Sequence, residues 1–187
     1  YEENVNHIME AAGFSELKLD DELNENIIAK CKEWGITPYD YYMACFSILL
    51  SKYSGNEDVC VGVPSSGRSS KFLKTWGMFV NMLSIRTKPE STKTFKDFTN
   101  EIKEKSFNAI AHQKYPQQEL IKKLNINKAL YDVMFIFQSE KMTHSVIGDK
   151  KAELLPLAIS TSRASIMLYI LPREEDTLIR TEYLTDL

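Results

Sequence analysis

The chain has 187 residues, 43% of them hydrophobic and 26% charged, a balance that excludes a disordered chain and predicts one ordinary globular domain or two small lobes. Its formal net charge of −3 gives no electrostatic reason to expect nucleic acid or a membrane surface as a partner. The longest apolar stretch, residues 41–50, is far shorter than the ~20 residues that cross a bilayer, and no targeting signal precedes one, so we expect a soluble, cytoplasmic protein.

Cysteine and histidine usage argues against disulfide and metal chemistry. The cysteines are Cys31, Cys45 and Cys60, an odd number without a Cys-x-x-Cys pair. Because Cys45 and Cys60 lie inside apolar runs, we expect both to be small buried hydrophobic residues in a reducing compartment. The histidines are His7, His112 and His144. They lack the spacing of a helical metal-binding pair, so the sequence predicts no metal site.

The chain begins with a predicted strand and helix. Residues 1–13 match no pattern and are interpreted as a possible connector or a displaced strand. Apolar residues between positions 14 and 19 suggest a short strand. Asp20 or Asp21 then caps a helix that runs to Trp34 and ends at Gly35.

A second helix is predicted from Thr37-Pro38, where a hydroxyl cap precedes a proline whose missing amide costs the helix no hydrogen bond. It continues to about Tyr53, and Gly55 closes it. One apolar face consists of Tyr41, Ala44, Cys45, Ile48 and Leu49. Because the remaining faces are apolar too, we expect a core helix that is covered on most sides.

The rest of the chain alternates strands with two further helices. Apolar runs predict strands over residues 59–63, 79–85, 133–137, 153–157, 166–171 and 178–184. Apolar spacing predicts a helix over 94–113, capped by Thr94 and Asp97, and a short helix over 117–124. Residues 141–151 form the predicted mobile loop.

This order of elements, β-α-α-β-β-α-α-β-β-β-β, determines the predicted fold class. We expect an α/β two-layer sandwich in which helices pack on one face of a mixed β-sheet. No internal repeat or low-complexity linker divides residues 1–187.

The segment VGVPSSGRSSKFLKTWGMFVN, residues 61–81, joins two predicted strands through an unusual loop. Gly62 and Gly67 allow backbone angles and close approaches that other residues do not, and Pro64 cannot donate to a sheet ladder. Arg68 presents a fork of donors that suits a carboxylate or buried carbonyls. Asn81 interrupts an apolar run, where burial without partners costs roughly 1–3 kcal/mol. Two interpretations follow: a tight strand-loop-strand with a satisfied buried Asn81, or the wall of a substrate or partner channel.

The same segment resembles a signature of the condensation domains of nonribosomal peptide synthetases. In that family Gly-x-Pro-x-x-Gly-Arg leads through a loop to Gly-x-Phe-Val-Asn and then to Leu-x-Leu-Arg. The matching positions are Gly62, Pro64, Gly67, Arg68, Gly77, Phe79, Val80, Asn81, Leu83, Ile85 and Arg86.

Three further segments carry the resemblance in the same order over about 170 residues. GITPYDYYMACFSILLSKYSGNEDVCVG, residues 35–62, resembles the helix and strand that precede the signature. HQKYP, residues 112–116, resembles the family's His-Gln-x-Tyr-Pro element, and LYDVMFIFQS, residues 130–139, resembles its Leu-Phe-x-Val-Met-Phe-x-x-Gln-Asn strand.

The sequence also departs from the family pattern. Gln117-Gln118 stand where the family has Phe-Glu, and the loop from Arg68 to Gly77 is about one residue shorter than the common form. The catalytic His-His-x-x-x-Asp-Gly element is absent, since none of the three histidines adjoins another. We interpret His112 as a helix-end residue and not as a base.

The resemblance implies a chloramphenicol acetyltransferase-like fold, in which two similar lobes form a V and the catalytic histidine lies in the first. Residues 1–187 would then be the C-terminal lobe alone, with its last helix missing and without a catalytic residue. The whole domain would serve peptide antibiotic biosynthesis by forming an amide bond between two acyl groups bound as thioesters to carrier domains.

The resemblance further implies partners and site residues. The partners would be the N-terminal lobe, peptidyl carrier domains and an adjoining adenylation domain; no cofactor is bound directly, because the phosphopantetheine arm belongs to the carrier. Asn81 and Gln138 would face the tunnel, while Gly62, Pro64, Gly67 and Arg68 would shape the floor loop. For Arg68 the alternative is that it braces the lobe through a carboxylate. Alternatives for the chain are a lobe of an ester-forming acyltransferase, of an epimerisation or cyclisation domain, or a non-catalytic carrier-docking module.

Overall fold

The computed structural model describes residues 11–138, 145–147, 150–152, 161–173 and 176–186. The chain divides into two compact units. The central unit is Trp34–Phe135, and the flanking unit is Tyr1–Glu33 with Ile136–Leu187.

The described elements follow the predicted order closely. The helices are α1 (Asp21–Trp34), α2 (Pro38–Ser54), α3 (Phe95–Ala111) and α4 (Gln117–Lys123). The strands are β1 (Ala12–Lys18), β2 (Val59–Ser65), β3 (Asn81–Thr87), β4 (Val133–Phe137), β5 (Ser145–Ile147), β6 (Lys150–Ala152), β7 (Ile166–Pro172) and β8 (Thr177–Leu184). One 3₁₀ turn, Ser70–Phe72, lies between β2 and β3.

One prediction about residues 141–157 needs correction, and another falls outside the described residues. Residues 141–151 were expected to be a mobile loop, but they contain β5 and part of β6, which pair antiparallel with Ile147 opposite Lys150. Gly148-Asp149 is a turn signal of β-hairpins as well as of loops, so the sequence alone did not separate the two. The strand predicted over 153–157 lies outside the described residues.

The sheet of the central unit is mixed, as predicted. β2 pairs with β3 antiparallel, from Val59 opposite Thr87 to Ser65 opposite Asn81. On its other side β2 pairs with β4 in parallel, with Val61 opposite Val133. One face of β2 and β3 is buried; it carries Val59, Val61, Val63, Leu83, Ile85 and Thr87.

Helices cover that sheet because apolar side chains of both layers meet. α2 packs on β2 and on α3, and α3 packs on β3. Phe135 of β4 is fully buried; its ring centroid lies 5.4 Å from that of Tyr39 and 6.1 Å from that of Phe46. These contacts confirm the α/β fold class that the sequence predicts.

Local signals set the ends of α2. The Asp40 main-chain N–H donates to the Thr37 hydroxyl oxygen (3.2 Å), and the Thr37 main-chain N–H donates to the Asp40 carboxylate (2.9 Å). This capping box satisfies two amide groups at the start of the helix. Gly55 closes the helix in the left-handed region, with φ of +69°.

The buried face of α2 differs from the predicted one. The buried residues are Asp40, Tyr42, Met43, Ala44, Phe46 and Ser47. Cys45 and Leu49, both predicted to be core residues, are exposed, and Cys60 is half-buried; only Cys31 is buried. Because α2 is apolar on every side, its periodicity could not show which side meets the sheet.

The flanking unit is an antiparallel ladder with a helix beside it. β8 pairs with β1 on one side and with β7 on the other, and Leu17, Ile179 and Ile170 lie side by side across the three strands. The Thr177 hydroxyl of β8 donates to the amide oxygen of Asn24 on α1 (2.9 Å).

A charged cluster is buried in the same ladder. Arg180 and Glu182 are 8% and 5% exposed, and the guanidinium of Arg180 lies 3.0 Å from the Glu182 carboxylate. The Tyr169 hydroxyl donates to the same carboxylate (3.1 Å). Burial, together with the negative charge of Glu182, raises the pKa of Tyr169 to about 12.

Candidate functional site

Strand β2, which leads into the loop, contains a glycine covered by an aromatic ring. Gly62 is buried, and a Cβ added there would lie 2.3 Å from Cε2 of Tyr131. Burial raises the pKa of the Tyr131 hydroxyl, and a hydrogen bond with Gln117 opposes that rise. Gln117 therefore contacts the hydroxyl of the tyrosine whose ring requires glycine at position 62.

Gly67 is required by a close crossing of the loop over itself. Its φ is +60°, in the left-handed region that favours glycine. A Cβ at this position would lie 1.9 Å from the main-chain oxygen of Phe79. The start of the loop therefore packs directly on the main chain of its end.

Arg68 holds the loop together through main-chain carbonyls. Its Nη1 donates to the carbonyls of Phe72 (3.1 Å) and Thr75 (2.5 Å), and its Nη2 donates to that of Gly77 (3.0 Å). The guanidinium carbon also lies 4.3 Å from the centroid of the Phe79 ring. Of the two partners that its donor fork suits, Arg68 therefore uses carbonyls; no carboxylate pairs with it among the described residues.

The second half of the loop exposes apolar side chains. Trp76 is 99% and Met78 87% exposed, and Val80 also faces solvent. The strand predicted over residues 79–85 therefore begins only at Asn81. Phe79 is half-buried, and its ring stacks on that of Phe72. Trp76, Met78 and Val80 face outward because Arg68 binds the carbonyl of Gly77 and the ring of Phe79, which lie between them.

Asn81, the first residue of β3, is half-buried and hydrogen-bonded at both ends of its amide. Its Nδ2 donates to the main-chain carbonyl of Gln113, and its Oδ1 accepts from the main-chain N–H of Met82 (2.9 Å). Ser65 lies opposite Asn81 in the β2–β3 ladder, and its hydroxyl donates to Oε1 of Gln113 (2.7 Å). These bonds give both the oxygen and the nitrogen of the Asn81 amide a partner inside the protein.

Gln113 and Ser65 were not among the predicted site residues. The signal for Gln113 was present in HQKYP, a segment that entered the resemblance without a role for its glutamine. Ser65 carried no signal of its own, because a serine at the end of a strand is common in turns. Pairing of β2 with β3 brings Ser65 and Asn81 together, and the end of α3 brings Gln113 to them.

A small cavity of about 90 Å³ lies beside this cluster; its lining includes Tyr39, Pro64, Ser65 and Ser106. Burial raises the pKa of the Tyr39 hydroxyl, and a hydrogen bond with Ser106 opposes that rise. A larger cavity of about 400 Å³, near Lys52 and Lys93, contains none of the predicted site residues.

The structure places the predicted site residues in both units. Gly62, Pro64, Gly67, Arg68 and Asn81 belong to the central unit, whereas Gln138 follows β4 in the flanking unit. Gln138 is half-buried there, and its main-chain N–H donates to the carbonyl of Ile170 (3.0 Å).

His112 lies at the end of a helix, as predicted. It is the C-cap residue of α3, and its ring Nδ1 lies 2.8 Å from the carbonyl oxygen of Asn108. No three His, Cys, Asp or Glu side chains of the described segments gather into a possible metal site. No helix in the described part of the chain is long and apolar enough to span a membrane.

Comparison with known proteins identifies the family. The family model for the condensation domain matches residues 8–187. The chain belongs to the condensation-domain family. The prediction made from four motif segments is thereby confirmed.

Related proteins are peptide synthetases. Tyrocidine synthase 2 of Brevibacillus parabrevis is 34% identical over 186 residues, which are 95% of this chain and 5% of that protein. Surfactin synthase subunit 2 of Bacillus subtilis (strain 168) is 35% identical over 175 residues, 90% of this chain and 5% of that protein. This condensation-domain chain thus spans only a small part of its curated relatives.

Solved structures confirm the fold. A four-domain nonribosomal peptide synthetase bound to AMP and glycine matches with a TM-score of 0.82 at 16% identity, over 97% of this chain and 16% of that one. The condensation domain of the Monacolin K polyketide synthase MokA matches with a TM-score of 0.76 at 20% identity, over 96% of this chain and 44% of that one. The predicted chloramphenicol acetyltransferase-like α/β fold is therefore correct.

Proposed function

We propose that this chain supplies one wall and the floor loop of a reaction channel in which a condensation domain forms an amide bond. The observation that carries the proposal is the hydrogen-bonded cluster of Ser65, Asn81 and Gln113, built from two of the family's motif segments. It places a fixed side-chain amide next to a loop that Arg68 holds in shape.

In the proposed reaction two acyl groups arrive as thioesters on the phosphopantetheine arms of carrier domains. The acceptor amine attacks the donor's thioester carbonyl; a C–N bond forms, the C–S bond breaks, the thiolate leaves and the amine loses a proton. Orientation of the two reactants and stabilisation of the developing oxyanion lower the barrier. Asn81 and Gln138 are the proposed polar groups of the channel.

The loop residues have a structural part in this proposal. Gly62 and Gly67 allow close packing on Tyr131 and on the Phe79 main chain, and Pro64 lies opposite Met82, one position before the β2–β3 ladder ends at Ser65. The donors of Arg68 are occupied by three carbonyls, so we assign Arg68 to the shape of the floor loop and not to the substrate.

The proton chemistry would come from the N-terminal lobe. The sequence contains no adjoining histidines, and Nδ1 of His112 is engaged by the carbonyl of Asn108. Loss of a general base costs ~10²–10⁴ in rate, and loss of the opposite wall removes positioning as well. We therefore propose that the partners of this chain are an N-terminal lobe, peptidyl carrier domains and an adenylation domain.

The test is peptide bond formation with loaded carrier domains. We expect no product above background from this chain alone, and product when an N-terminal lobe with an intact paired-histidine motif is supplied. The same lobe with both histidines replaced by alanine is the control and should restore nothing. Peptide bond formation by the isolated chain would refute the proposal that the N-terminal lobe supplies the proton chemistry.

A second candidate is a non-catalytic docking module, which a damaged histidine motif in the N-terminal lobe would favour. The X-domain from teicoplanin biosynthesis, for which a complex with OxyB has been solved, shares the fold with a TM-score of 0.76 at 17% identity. This candidate predicts that loaded carrier domains bind but form no product even when the complete N-terminal lobe is present.

A further inference from the structure

Gln113 lies where three segments of the central unit meet. It follows the end of α3, its side chain contacts Ser65 at the end of β2, and its main chain contacts Asn81 at the start of β3. Ser65 and Asn81 are directly opposite each other in the ladder, so one residue ties together both strands at the end where the loop leaves the sheet.

The hydrogen bonds engage both the side-chain oxygen and the main-chain oxygen of Gln113. Its Oε1 accepts from the Ser65 hydroxyl (2.7 Å), and its main-chain oxygen accepts from Nδ2 of Asn81. Residues 112–116 lie between α3 and α4 and are in no strand, so the sheet ladder does not hold this carbonyl. The bond with Ser65 fixes it to the sheet.

The same bonds determine how the Asn81 amide is presented. Oδ1 is held by the Met82 N–H, and one Nδ2 proton is used by Gln113, which leaves the second Nδ2 proton for another acceptor. An amide N–H donates to any oxygen acceptor, and the acceptors of the proposed substrates are the carbonyl oxygens of acyl groups. Rotation of the amide would break both bonds, so its free proton keeps one direction.

We infer that Gln113 is a positioning residue: anchored by Ser65, it fixes the Asn81 amide toward the carbonyl of the acyl substrate. This inference rests on the proposed function. Gln113 acts through Asn81 and not through the reacting atoms, so its substitution should lower kcat by between about 10- and 100-fold, with a KM that changes little.

The first test measures how fast the Asn81 side-chain amide exchanges its protons in the 187-residue chain, and it requires no catalysed reaction. Exchange of the Asn81 side-chain amide protons with solvent is followed by NMR in Gln113→Ala, Ser65→Ala and Gln113→Glu. We expect at least tenfold faster exchange in both alanine variants and near-normal exchange in Gln113→Glu, whose carboxylate still accepts from Ser65. Gln118→Ala, at an exposed glutamine of α4, is the matched control. Unchanged exchange in Gln113→Ala, or an equal change in Gln118→Ala, overturns the inference.

The second test measures kcat and KM in the intact condensation domain that contains this chain. A purely structural role would lower the melting temperature of Gln113→Ala and leave kcat of the folded fraction unchanged, whereas the positioning role lowers kcat and is rescued by Gln113→Glu. If the unsubstituted domain is active and Gln113→Ala retains its kcat, the inference alone is overturned. If the unsubstituted domain forms no amide, the proposed function fails, and this inference falls with it.

Discussion

Replacement of Gly67 by alanine tests the self-crossing of the loop between β2 and β3. The added Cβ would lie 1.9 Å from the carbonyl oxygen of Phe79, where ordinary van der Waals contact begins near 3.4 Å, so one chain segment must move by about 1.5 Å. The neighbouring atom is main chain, and Arg68 holds the carbonyls of Thr75 and Gly77, which precede it in the loop. The strain therefore cannot be relieved by rotation of a side chain.

The size of the effect follows from two terms. An L-residue in the left-handed region costs ~1–2 kcal/mol, and forced overpacking adds ~1–3 kcal/mol. Gly55 supplies the matched control: its φ is +69° and its added Cβ meets nothing within 4 Å, so Gly55→Ala should show only the first term. We expect Gly67→Ala to lower the free energy of unfolding by about 1–3 kcal/mol more than Gly55→Ala.

Urea denaturation followed by tryptophan fluorescence measures this difference. Both glycines lie in the central unit, and Trp34 of that unit is half-buried against Phe95, with ring centroids 6.0 Å apart. Trp76 is 99% exposed and should contribute little change. Equal effects of the two substitutions, within about 0.5 kcal/mol, would show that the loop does not cross itself as described.

Two further predictions concern Arg68 and Tyr169. Arg68→Lys keeps the charge but loses the planar fork of donors, so the amides of residues 69–80 should exchange with solvent on the order of tenfold faster. Lys71→Ala is the control and should leave their exchange rates unchanged. Equal exchange rates in the two variants would contradict the role of Arg68. The pKa of Tyr169 is raised from 10 to about 12, so its contribution to stability is complete below pH 10 and is lost as the pH rises through 12. Tyr169→Phe should remove the highest step of the phenolate absorbance titration and flatten that loss of stability; a titration that is unchanged at high pH would refute the contact with Glu182.

Local chemistry accounts for the elements that the sequence predicted well. The Thr37-Pro38 start and the Gly55 end of α2 were correct because a cap and a left-handed glycine act within one turn. The strand over residues 133–137 was also correct, since a short apolar run between polar residues has few alternatives.

The errors arose where tertiary contacts decide. Cys45 and Leu49 lie in an apolar helix, yet only one side of α2 meets the sheet, and no periodicity in the sequence marks that side. Met78 and Val80 are apolar in a strand-like run but are exposed, because Arg68 holds the intervening Phe79 inward. Burial at these positions depends on partners that are distant in sequence.

By itself the sequence determined the family, the order of most elements and the special glycines, proline and arginine between residues 62 and 68, since each depends on a motif or on the conformational limits of a single residue. Only the tertiary structure decided what those residues contact: the Phe79 carbonyl over Gly67, the carbonyls around Arg68, and Gln113 between Ser65 and Asn81. The physical reason is that these hydrogen bonds and close contacts join residues 4 to 48 positions apart along the chain, and their pairing is set only once the strands and helices have packed.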